Sequence, residues 1–178
     1  MVETMDTEIG RLLSVVDCVN THIIFIGDNG TPTQVLQPPF RAGRGKDTLY
    51  EGGIHVPLII SGPAVARPNR TNATLANAVD SFATILEMAG SSAAAAVPNN
   101  VVIDSKSLMS ALQTTNTLSR FAYAEEFGTN VPVSAGVAPS RTIATSSSSS
   151  QMDSGLQLSF SLTSKSLLST ASPTCAEI

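Results

Sequence analysis

The chain has 178 residues, 42% apolar and 13% charged, enough for one ordinary domain with a real core. A formal net charge of -4 provides no basic stripe for a phosphate backbone, which argues against a nucleic-acid partner. No apolar run approaches the roughly 20 residues that would span a bilayer. In the first segment Val2, Met5, Ile9, Leu12, Leu13 and Val16 recur at three- and four-residue spacings, with Glu3, Asp6, Glu8 and Arg11 on the other side. That pattern predicts an amphipathic helix lying on a core. It lacks the basic, apolar and small-residue sections of a signal peptide. Asn20 and Thr21 break the helix, and "HIIFI", 22–26, is expected as a strand buried on both faces of a parallel sheet. Cys18 and Cys175 lie far apart without metal-site spacing and are read as plain thiols.

After "GDNG", residues 27–30, comes an irregular passage of about 25 residues, long enough to be a functional loop. It closes with "VPLIISGP", a second apolar strand ended by a Gly-Pro turn. "ATLANAVDSFATILEMAG", 73–90, reads as a helix with Val79, Phe82, Ile85 and Leu86 on its core stripe and Gly90 as a left-handed cap. Two glycosylation-type tripeptides, at Asn69 and Asn72, fall in the polar turn before it. Residues 107–112 are expected as a short helix and "RFAYAEEF", 120–127, as a strand. From Ser140 onward serine dominates, with five in a row at 146–150, and large apolar side chains are scarce. Such a segment buries little surface against its ordering entropy, so much of it is expected to be loose. Helix, strand, loop, strand and helix in this order predict an α/β layered domain.

Ligands of open α/β sheets bind at the carboxyl ends of strands, where Asp28 and Asn29 fall. A carboxylate beside an amide oxygen is a pair of hard donors that suits Ca²⁺, or less well Mg²⁺, whereas the same tripeptide with Gly30 also suits a simple turn. Lys46, in "GRGKDTLYEGGIHVP", is either a solvated surface lysine or an ammonium brought close to a bound anion by neighbouring glycines.

"IFIGDNG" followed by "GKDTLYEGGIHVPLIISGP" resembles the second half of the sulfatase core, within the alkaline-phosphatase-like superfamily. "MVETMDTEIGRLLSVVD" is similar to the helix before that strand, and "VDSFATILEMAG" to the helix after the second, with Ala83 where proline is usual. The resemblance implies a mixed, mostly parallel sheet flanked by helices. Residues 1–128 would be the C-terminal half of the catalytic core, and 129–178 a Ser-rich, degenerate or disordered tail related to the C-terminal subdomain. It implies that Asp28 and Asn29 ligate an active-site calcium, that Lys46 contacts the sulfate, and that Glu51, Gly52 and Gly53 are structural. The partner implied for the complete enzyme is a small sulfate ester or sulfated glycan, and such enzymes are often secreted, periplasmic or lysosomal.

The family's nucleophile is a formylglycine made within a Cys/Ser-x-Pro-x-Arg motif upstream of the Asp-Asn-Gly strand, and this chain holds no such motif. "VAPSR", 137–141, imitates its end, but Val137 cannot become an aldehyde hydrate and lies on the wrong side of Asp28. "GLQLSFSLTSKSLL" is faintly similar to the family's closing strand and turn. Three functions compete: a sulfatase piece inactive alone, a non-catalytic relative binding an anion or a partner, and a phosphate-ester hydrolase of the same superfamily.

Overall fold

A computed structural model of the chain describes residues 2–118, 120–127, 139–146 and 160–162. It is a mixed α/β structure whose main sheet runs, in spatial order, Ile23–Ile26 (β1), Leu58–Ser61 (β2), Phe160–Leu162 (β6) and Arg70–Asn72 (β3). Helix α1, Val2–Leu13, carries Glu3 in its first turn and Arg11 in its last, both complementing the helix dipole. Only its final turn is covered: Leu13 is buried with Cys18 and flanked by Ile9, Val16 and Ile23. Val2, Met5 and Leu12 stay exposed, so the expected core stripe meets a core at one end only. Cys18 is disulfide-bonded, which corrects its reading as a plain thiol; Cys175 lies outside the described residues.

Strand β1, Ile23–Ile26, pairs with β2, Leu58–Ser61, in antiparallel register from Ile23 opposite Ser61 to Ile26 opposite Leu58. The expectation of a mostly parallel sheet is therefore corrected. Residues 27–57 leave and return at the same end of the sheet, which forces the opposite direction, and a parallel pair would have needed a crossover. β6, Phe160–Leu162, runs parallel to β2, while β3, Arg70–Asn72, is antiparallel to β6. β1 is not buried on both faces either: Ile23 to Phe25 are half-buried and Ile26 is exposed. A separate antiparallel pair joins β4, Phe121–Phe127, to β5, Pro139–Ser146. Ser140 and Arg141 fall within β5, and Val137 lies outside the described residues.

The main core forms where β2 alternates inward with Leu58 and Ile60, which meet Val65, Ala76, Leu108, Met109, Ala111 and Leu112. The last four belong to or adjoin helix α5, Met109–Gln113, close to the expected 107–112. Helix α3, Asp80–Met88, is shorter than its apolar pattern. Thr74, Leu75 and Ala76 are buried in the non-helical approach to it, where the Thr74 hydroxyl accepts from the Leu118 amide at 2.9 Å. α3 also presents the other face. Val79, Phe82 and Ile85 are 55%, 47% and 50% exposed, while Asp80, Ala83 and Thr84 are buried.

A polar network explains that rotation. The Asp80 carboxylate accepts from the Asn77 amide at 2.8 Å, the Lys106 amide at 2.9 Å and the Arg120 guanidinium at 3.0 Å. The Thr84 hydroxyl donates to the Asp80 carbonyl at 2.6 Å and accepts from the Leu108 amide at 3.0 Å. Buried polar groups must be paired, and these partners lie on one side of the helix. At the other end Gly90, at φ +79°, donates to Glu87 O and Ser91 donates to Leu86 O, the double closure of a Schellman motif. Helix α4, Ala93–Ala96, follows, with the Ser92 hydroxyl accepting from the Ala95 amide as its cap. Asn72, the second glycosylation-type asparagine, is buried, and its side chain accepts from the Thr74 amide at 2.9 Å, so there it is structural.

Candidate functional site

The site begins where β1 ends. The Gly27 amide donates to Pro57 O at 2.9 Å, keeping the two chain segments paired one residue beyond the strand. The backbone then bends at Asp28 and Asn29, whose side chains are both exposed. Thr31 collects the rest. Its amide donates to Gly52 O at 2.8 Å, and its carbonyl accepts from the Lys46 amide at 2.8 Å. One residue thus joins the Asp-Asn tip, the lysine loop and the Glu-Gly-Gly turn.

Glycines make that junction possible. A Cβ on Gly30 would lie inside the Gly53 backbone, one on Gly45 against the Thr31 carbonyl, one on Gly52 against Arg44 O, and one on Gly53 against the carbonyls of Thr48 and Gly45. All four obstacles are backbone, which cannot swing aside as a long side chain would. The structural role expected for Gly52 and Gly53 thereby acquires a physical cause. Glu51–Ile54 form a one-turn helix, α2, and Ile54 packs on Leu75 and Ala122, tying the turn to the body of the protein.

Around Lys46 the chain makes a tight turn with Asp47 at φ +68°, a left-handed conformation that aspartate tolerates better than most residues. The Thr48 hydroxyl closes it, donating to Gly45 O at 2.7 Å. The Arg44 guanidinium stacks over the Tyr50 ring, 4.1 Å from its centroid. His55 meets Phe40 edge-on with centroids 6.3 Å apart, and its Nδ1 is 3.9 Å from Glu51 Oε2.

The three residues singled out in the sequence share one electrostatic neighbourhood. The Asp28 carboxyl is held below its usual range, first by a hydrogen bond from the Asn29 side chain and further by backbone amides and the Lys46 charge, against a desolvation that raises it. A carboxylate and a neighbouring side-chain amide are both sources of hard oxygen donors. The donor types fit calcium or magnesium, but two oxygens are few against the six to eight that calcium takes. Among the described residues no group of three or more His, Cys, Asp or Glu could hold a metal. The sequence pattern missed Thr31 and Thr48; the signal available for them was the density of glycines at 43, 45, 52 and 53, which marks close backbone approach.

The Sulfatase family model matches residues 1–91, a span that contains every one of these groups, and the chain belongs to the sulfatase family. A protein of Formosa agariphila named Sulfatase is 35% identical over 130 residues, covering 63% of this chain and 22% of that relative. Steryl-sulfatase of Mus musculus is 32% identical over 126 residues, 63% of this chain and 19% of the relative. N-acetylgalactosamine-6-sulfatase of Canis lupus familiaris is 31% identical, covering 62% of this chain and 22% of the relative. The chain therefore spans about a fifth of the length of these curated relatives. No solved structure gives a significant match. Among the described residues no helix is long and apolar enough to cross a membrane.

Proposed function

We propose that this chain supplies the cation-binding and sulfate-binding part of a sulfuric ester hydrolase, set in an alkaline-phosphatase-like core. In this reading Asp28 and Asn29 ligate Ca²⁺, with Mg²⁺ the poorer fit, and Lys46 contacts the sulfate of a small ester or sulfated glycan. The observation that carries it is the junction at Thr31, which anchors the lysine loop against the Asp-Asn tip while their side chains stay exposed. A bound divalent cation offsets negative charge on the sulfate oxygens. Lys46 adds a second, flexible positive charge, and the Asn29 side chain lowers the Asp28 pKa, favouring the ionised form that a cation needs.

With no Cys/Ser-x-Pro-x-Arg motif in the sequence, the chain by itself has binding groups and no attacking group. It should bind calcium and sulfate weakly and show no steady turnover of an aryl sulfate. Two ligands plus water place calcium near the millimolar end of the range for oxygen-ligand sites, roughly 10⁻⁴–10⁻³ M or weaker. A calcium titration followed by backbone NMR tests this: shifts should centre on Gly27–Gly30 and vanish in Asp28→Ala. Shifts spread evenly over exposed carboxylates and unaffected by that substitution would make Asp-Asn-Gly a turn and nothing more.

A further inference from the structure

Lys46 is exposed, and a lysine side chain carries about 2 kcal/mol of rotamer entropy. Precision in presenting its ammonium has to come from the backbone beneath it. That backbone is held on both sides. The Lys46 amide donates to Thr31 O at 2.8 Å, and the carbonyl just before it, on buried Gly45, accepts the Thr48 hydroxyl at 2.7 Å. Between the two bonds lies Asp47 in its left-handed conformation, which costs energy unless its surroundings hold it. The same Thr48 oxygen accepts from the Tyr50 amide at 3.4 Å, and the Thr48 carbonyl abuts Gly53. Thr48 is thus where the lysine turn is fastened to the Glu-Gly-Gly turn.

We propose that Thr48 is a positioning residue for Lys46: its hydroxyl, locked on Gly45 O, sets the turn that presents the ammonium from the loop that Thr31 joins to the Asp-Asn tip. The functional part of this role rests on Lys46 being the sulfate contact. Valine at position 48 keeps the shape and removes the hydroxyl, leaving a buried carbonyl without that donor, whereas serine keeps it.

The test uses the full ¹⁵N-labelled chain as wild type, Thr48→Val, Thr48→Ser and Lys46→Met, with inorganic sulfate as probe and amide hydrogen exchange as a second readout. Thr48→Val should weaken sulfate binding about fivefold, the equivalent of one lost hydrogen bond. It should also speed exchange at the Lys46 and Thr31 amides together, and Thr48→Ser should restore both. Exchange and affinity in Thr48→Val equal to wild type would overturn the proposal. So would protection lost across the chain, including the Ser91 amide that closes α3, since Thr48 would then serve the whole fold. Sulfate shifts that survive Lys46→Met would overturn Lys46 as the anion contact, and the exchange comparison would still decide Thr48 independently.

Discussion

Residues 27–57 and residues 72–122 solve the same problem in opposite ways. Around Asp80 the chain is held by buried side chains: a carboxylate with three donors, a threonine bridging two backbone groups, and Asn72 and Thr74 satisfying loop amides. Around Asp28 it is held mainly by backbone, glycine against carbonyl, with the Thr48 hydroxyl as the side-chain fastener and Asp28, Asn29 and Lys46 exposed. Where side chains fasten the fold they are unavailable for ligands. Where backbone fastens it, they are released for binding. Substitution in the two regions should therefore separate stability from ligand affinity.

The largest effect should come from the side-chain-held region. Asp80 and Arg120 form an ion pair at 3.0 Å with side chains only 3% and 9% exposed. Removing one buried partner strands the other's charge. Asp80→Ala should destabilise the chain by about 3–5 kcal/mol, read from the denaturant midpoint. A midpoint near wild type would mean that water reaches the guanidinium and that this region is not the anchor. Any calcium response at Gly27–Gly30 should be unchanged wherever the variant remains folded.

Next comes the backbone-held region, attacked through its packing. Gly53→Ala drives a methyl group into the carbonyls of Thr48 and Gly45, and overpacking of this kind costs about 1–3 kcal/mol. Gly43→Ala is the matched control. Its Cβ meets nothing, and only the φ of +75° penalises it. Thermal unfolding of the pair should rank Gly53→Ala well below Gly43→Ala, and sulfate affinity should fall with the first alone. Equal melting temperatures would show that the glycine junction is loose.

The two regions also differ in how much of them can be read in the residues themselves. The tip at Asp28–Asn29, Lys46, the strands at 23–26 and 58–61 and the Gly90 cap follow from local pattern: apolar runs, turn formers and a positive-φ glycine. The orientation of α3 does not. Its apolar stripe at Val79, Phe82 and Ile85 has the correct helical period, yet the inward face is set by Asp80 and Thr84, whose partners lie some 25 to 40 residues further on at Leu108, Lys106 and Arg120. Periodicity senses neighbours in sequence and is blind to such partners. Strand direction failed similarly, because "HIIFI" has the same composition in a parallel or an antiparallel setting and only the return of the loop decides. Thr48 escaped notice because its work is a hydrogen bond to backbone three residues away.

A smaller effect on stability is expected from the exposed site side chains. Asp28→Ala and Lys46→Met should each leave the unfolding free energy within about 0.5 kcal/mol of wild type, as for surface positions generally. Calcium shifts should vanish in the first and sulfate shifts in the second. A stability loss as large as that of Gly53→Ala would erase the distinction between the regions.

The finest test concerns the Asp28 carboxyl, whose pKa is lowered mainly by the Asn29 side chain and less by the Lys46 charge. A carboxyl depressed in the folded state contributes stability above its unfolded pKa, and that contribution is lost as the pH falls through the depressed value. At this exposed position the contribution is small, so the titration itself, followed by NMR of the side-chain carboxyl carbon, is the better readout. Asn29→Ala should move the midpoint upward more than Lys46→Met does. Salt separates the two causes, because at about 1 M the screening length shrinks to about 3 Å. The influence of Lys46 should then fade while the direct hydrogen bond from Asn29 persists. Calcium binding at the tip should be flat through neutral pH and fail only on acidification into the aspartate range, since the ligand must be ionised. Should Lys46→Met shift the midpoint further than Asn29→Ala, and salt abolish the whole depression, the ammonium rather than the neighbouring amide would be the main cause of the lowered Asp28 pKa. The tip would then depend on the lysine turn, and so on Thr48, for its electrostatics as well as for its backbone.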